Sequence, residues 1–144
     1  MTQETFNRML EEKRQRESDI TSALPSAPDD QIESLLREFI SCKYFLEPEE
    51  MDTDNLIVLG ERSTAKMAGL KNAGIEFKEK SAGCTTASSG IIKKVLLAMA
   101  VGKLIGAKLD PDAVAEAETV GDLAELIRRT RDNCKKQKAE EETA

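Results

Sequence analysis

The stretch "SSGIIKKVLLAMAVGKLIG", residues 88–106, decides how this chain is read. Two serines lead it, a glycine closes it, and no proline interrupts it. It reads as a helix over about 88–105, with Gly106 as the residue that stops it. On a helical wheel one broad face carries Ile91, Val95, Met99 and Ile105, with Ile92 and Leu96 beside it. Leu97, Val101 and Leu104 run along the side that also holds Lys93 and Lys94. A helix apolar on more than one side is either central to a core or covered by something else. The expectation is a central helix. It buries Ile91, Val95, Met99 and Ile105 against Leu35, Leu36, Phe39, Leu123 and Ile127.

Working outward, the rest of the chain supplies partners for that helix. Residues 30–46, "DDQIESLLREFISCKYF", place Ile32, Leu35, Leu36, Phe39 and Ile40 on one stripe. Asp30, with Glu33 three residues later, suits a capping box. After the central helix comes "DPDAVAEA", in which Asp110 caps and Pro111 takes the first helical position. The last helix is "TVGDLAELIRRT", where Thr119 and Asp122 resemble a capping box and Leu123, Leu126 and Ile127 form the apolar face. Between the first and second of these helices lie an acidic stretch, "LEPEEMDTDNLIVLG", and a segment over about 61–87 with few large apolar residues. "NLIVL" and "GIEFKEK" are candidates for short extended pieces.

This organisation predicts an all-α fold, a small bundle of about four helices spanning about 29–131. Residues 1–28 read as a charged, loosely ordered extension, in which Phe6, Met9 and Leu10 recur at helical spacing. "LPSAPDD" is a breaker. Residues 132–144 read as a flexible tail.

Composition narrows the function classes. The 144 residues carry a formal charge of −6, which argues against non-specific binding to a nucleic-acid backbone. The longest apolar run, 95–101, is too short to span a bilayer. Three separated cysteines with no CxxC, and an opening too charged for a secretory signal, point to a reducing cytoplasm. With no histidine, a Cys–His pair is excluded within the chain, as is the usual zinc set. Cys84, in "AGCTTASSG", stands near a helix start, where a thiol can be activated. The reading is a protein that acts without catalysis.

The order of helices, and above all "LIGAKLDPDAVAEAETVGDLAELI" (104–127), resembles the acyl and peptidyl carrier protein family. "IESLLREFISCKYFLEPEEMDTDNLIVLG" (32–60) is similar to the family's first helix and the loop leading to its modified serine. The chain departs from the family in two ways. No Asp-Ser-Leu follows Leu59 and Gly60, and about thirty residues separate them from the apolar helix. Helix two of the family is acidic, whereas Lys93, Lys94 and Lys103 make this one basic. Acid gathers instead at Glu47, Glu49, Glu50, Asp52 and Asp54, and again at Glu116 and Glu118.

The resemblance implies a serine bearing a 4'-phosphopantetheine arm that carries an acyl group for acyl-transferring or acyl-modifying enzymes, as in fatty acid or polyketide biosynthesis. Ser89 is the first candidate, Ser88 the second and Ser63 the third. A helix N-terminus suits a phosphodiester, because free backbone N–H groups and the positive dipole end face the anion. Ser88 or Ser89 also suits a simple N-cap. The alternative is a degenerate carrier-like adaptor that keeps the bundle and binds a protein partner without an arm.

Overall fold

The computed structural model describes residues 2–76 and 90–143, with the side chains of 136–143 outside the description. Among the described residues there are six helices and no strand: α1 (Gln3–Ala23), α2 (Ile32–Tyr44), α3 (Leu56–Asn72), α4 (Gly90–Ile105), α5 (Pro111–Glu116) and α6 (Val120–Thr143). The fold is all-α, as expected. Short 3₁₀ turns sit at Leu24–Ser26, Asp29–Gln31 and Pro48–Glu50.

The helix ends follow local side-chain chemistry. Thr2 Oγ1 accepts from the Thr5 amide at 3.2 Å and opens α1. Asp110 caps α5 through the Asp112 amide at 3.1 Å, with Pro111 behind it. Thr119 and Asp122 form the reciprocal box at the head of α6: Asp122 N–H donates to Thr119 Oγ1 and Thr119 N–H to Asp122 Oδ2. Gly106 ends α4 in the left-handed region at φ 70°, and the Ala107 amide returns to Gly102 O at 3.0 Å. The expected box at Asp30 does not form. A 3₁₀ turn occupies Asp29–Gln31, Gln31 precedes α2 without a side-chain cap, and Asp29 pairs with Arg131 instead.

Two further expectations change. Residues 2–28 are not an unpacked extension: α1 lies along α2 and buries Phe6 and Ile20, and Leu24, just after it, is buried too. Its otherwise polar surface is tied to α2 by the ion pairs Arg16–Glu38 and Glu17–Lys43. "NLIVL" is not extended. Asn55 Oδ1 accepts from the amides of Ile57 (3.0 Å) and Val58 (3.1 Å), starting a helix that runs through Leu59–Gly60 to Asn72. Residues 61–72 are therefore the continuation of α3, and Phe77 lies outside the described residues. Residues 132–143 extend α6 as helical backbone.

The core has two parts. The larger unites Leu36, Phe39 and Ile40 of α2 with Leu56 and Leu59 of α3, Leu97 and Val101 of α4, and Leu123 and Ile127 of α6. The smaller joins Phe6, Phe45, Leu70 and Ile75. Phe45 ends α2 at φ 57°, a conformation uncommon for a bulky residue. Its ring is held by Phe6, with centroids 5.1 Å apart, and by Lys13 and Lys66 above it. An isolated antiparallel bridge, Asn55 with Thr119, fastens the starts of α3 and α6 through Leu56 N–H to Glu118 O and Val120 N–H to Asp54 O.

Candidate functional site

The orientation of α4 sets the site, and glycine sets the orientation. A Cβ built on Gly60 would lie 2.9 Å from the Gly90 Cα, and one built on Gly90 would lie 2.8 Å from the Ile57 side chain. α3 and α4 therefore meet backbone to backbone, which only a residue without a side chain permits. With Gly90 pressed inward, helical periodicity sends Lys94, Leu97, Ala98, Val101 and Gly102 inward as well. Lys93 joins them.

This reverses the expected faces. Ile91, Val95 and Met99 are 58%, 45% and 58% exposed and Ile92 is 43% exposed, whereas Lys93 and Lys94 are 6% and 4% exposed. Ile105 is only partly buried. Each lysine finds a hydrogen-bond acceptor at its tip. Lys94 Nζ donates to Ala115 O at 3.1 Å and to Ala117 O at 2.9 Å, capping the carbonyl end of α5. Lys93 Nζ donates to Ser63 Oγ at 3.0 Å and lies 5.5 Å from the Tyr44 ring centroid.

Ser63 is thereby placed. It sits mid-helix in α3, fully buried, and its hydroxyl donates to Tyr44 O at 2.8 Å. A hydroxyl so enclosed is out of reach of a bulky modifying group while this contact is closed. The buried Tyr44 hydroxyl has no hydrogen-bond partner among the described residues. Burial pushes its pKa well above the usual phenol value. Ser88, Ser89 and Cys84 lie outside the described residues. The first described residue of α4 is Gly90, next to Ser89 in sequence.

Below the exposed stripe, α4 and the loop into α5 enclose an apolar groove of about 590 Å³. Val95, Ala98, Met99 and Gly102 form one wall, and Leu109 and Val114 part of the other. The charged residues that line it among those described are Lys103 and Lys108. Of the groove's aliphatic residues, Val95 and Met99 are expected in the core from the sequence, because Lys93 and Lys94 mark the opposite side of the helix as polar. The signal for the true face was the small-residue line Gly90, Ala98, Gly102, which marks where another backbone comes close.

A second cleft, of about 500 Å³, lies between α1, α2 and the turn at Pro48. It is lined by charges that already pair, including Arg16 with Glu38 and Lys13 with Glu47. Cys42 opens onto it, and burial pushes its thiol pKa up, away from reactivity. The acidic stretch 47–54 is likewise matched from within: Glu50 by Lys66, Asp52 by Arg62 and Asp54 by Arg37. It offers a partner little net negative field. Among the described residues no cluster of three or more metal-ligating side chains is present, and no helix is long and apolar enough to cross a membrane.

No family model, curated protein or solved structure matches this chain.

Proposed function

We propose that this chain works by binding, and that the α4–α5 face takes up an apolar group supplied by a partner. The observation that carries the reading is the solvent face of α4, where Ile91, Val95 and Met99 stand exposed in a line above the groove while two lysines go inward. Singly exposed aliphatic residues need no explanation, but a contiguous stripe continuous with a groove marks an interaction surface. An uncharged solvatochromic dye such as Nile red tests it. The native protein should enhance its fluorescence, and Val95→Glu and Met99→Glu should each remove most of the enhancement while leaving the thermal midpoint nearly unchanged. No enhancement, or enhancement indifferent to both substitutions, contradicts the reading.

A second reading is an acyl carrier, with the acyl group on a 4'-phosphopantetheine arm and acyl-transferring or acyl-modifying enzymes as partners. It is supported by the Ser88–Ser89 pair standing in sequence directly before Gly90, the first described residue of α4, and by the capped α5 and α6 that follow. Co-expression with a broad-specificity phosphopantetheinyl transferase should then add the mass of one arm. Ser89→Ala should abolish the gain and Ser63→Ala should not. An unchanged mass removes this reading and leaves the arm-free binding protein.

A further inference from the structure

We infer that the occupant of the α4–α5 groove is an acidic amphipathic helix of a partner protein. The inference rests on the binding function proposed above and adds the partner's chemistry. Three features select it. The stripe Ile91, Val95, Met99 advances by four residues per step, covering about 12 Å of helix axis at 1.5 Å per residue. Such a ridge packs into the groove of a second helix. The backbone of α4 is hydrogen-bonded within its own helix, so it offers no edge for an added strand.

Charge supplies the second part. Lys103 and Lys108 are the charged groups among the described lining residues, and both are exposed. The acids of the neighbouring helix start, Asp110 and Asp112, are exposed but are not among the lining residues, and Asp110 is engaged as the α5 cap. A protein of net charge −6 thus turns a basic rim outward beside this apolar groove. An apolar helix flanked by Glu or Asp is favoured there and one flanked by Lys or Arg is disfavoured. A second copy is a poorer occupant, because two-fold pairing of these faces sets one lysine rim against the other.

Two helical peptides with the same leucine stripe, one flanked by glutamates and the other by lysines, make the probe. Their binding to the full chain is followed by fluorescence anisotropy at low salt. The acidic peptide should bind about tenfold tighter than the basic one. Lys103→Glu combined with Lys108→Glu should reverse that order, and Met99→Glu should weaken the acidic peptide strongly. If both peptides bind alike, or the basic one better, the acidic partner is wrong. If neither binds while the uncharged dye still does, the helix inference falls and the binding function stands. If dye and peptides all fail, both fall. A concentration-dependent dimer abolished by Met99→Glu would instead assign the groove to a second copy and overturn the inference.

Discussion

Lys93 and Lys94 are neighbours in sequence and both point inward, yet different acceptors hold them. Lys94 meets the carbonyls of Ala115 and Ala117, a site that any helix C-terminus creates. Lys93 meets a hydroxyl, and that hydroxyl has its own task on the Tyr44 carbonyl. Ser63 is therefore a link between three elements, α2, α3 and α4. Replacing it by alanine removes an acceptor for Lys93 and a donor for a buried carbonyl. Ser63→Ala should lower stability by about 1–3 kcal/mol, the usual cost of orphaning a buried polar partner. Urea melts of wild type and variant measure this. An unchanged midpoint would show that water or another side chain replaces the hydroxyl.

At the scale of elements, the pairing of α3 with α4 depends on two residues that carry no side chain. Gly90→Ala would drive a methyl group into Ile57, both its backbone oxygen and its side chain. The helices must separate, and overpacking of this kind costs about 1–3 kcal/mol. Gly69, also in α3, has nothing within 4 Å of a built Cβ. Gly69→Ala should stabilise by about 0.5–1 kcal/mol, because alanine loses less freedom on entering a helix. Thermal melts of the two variants should move in opposite directions, and a shared direction would mean that the α3–α4 crossing is not tight. The same glycines explain what the sequence could and could not convey. Elements with a single apolar stripe, α2 and the first half of α6, were legible, as were the caps at Asp110, Thr119 and Gly106. α4 was legible as a helix but not in its rotation, since both of its sides are rich in aliphatic residues and the choice was made by Gly60 some thirty positions away. The packing of α1 is not legible because its two buried residues, Phe6 and Ile20, stand fourteen positions apart on a long polar helix. α3 is hard to read as one helix because its cap, Asn55, stands in an acidic stretch and Gly60 interrupts the apolar run. The candidate site follows from the rotation of α4: Ile91, Val95 and Met99, expected in the core, form the exposed face, while Leu36, Phe39, Leu123 and Ile127 are buried as expected.

Taken as a whole, the molecule is held at its acidic edge by carboxylates engaged with groups on other segments, and this fixes its response to pH. Hydrogen bonding to Lys66 lowers the pKa of Glu50, the Arg62 guanidinium lowers that of Asp52, and the backbone N–H groups of Glu118 and Thr119 lower that of Asp122. A carboxyl with a depressed folded pKa stabilises the native state fully above its unfolded pKa, and the contribution is lost as pH falls through the folded value. The unperturbed values are 4.5 for Glu50 and 3.8 for Asp52 and Asp122. The loss therefore begins below about pH 5 and continues beneath the aspartate range. No histidine is present to titrate at intermediate pH. The thermal midpoint should be flat between about pH 5.5 and 7 and fall steadily below about pH 4.5. Glu50→Gln should flatten the upper part of that acid limb, since of the three groups Glu50 has the highest unperturbed value and its contribution starts to be lost first, and added salt should act in the same direction because these pairs are solvent-accessible. A midpoint that changes between pH 5.5 and 7, or an acid limb that Glu50→Gln leaves untouched, would show that stability is not controlled by the fastening of residues 47–54 onto α3.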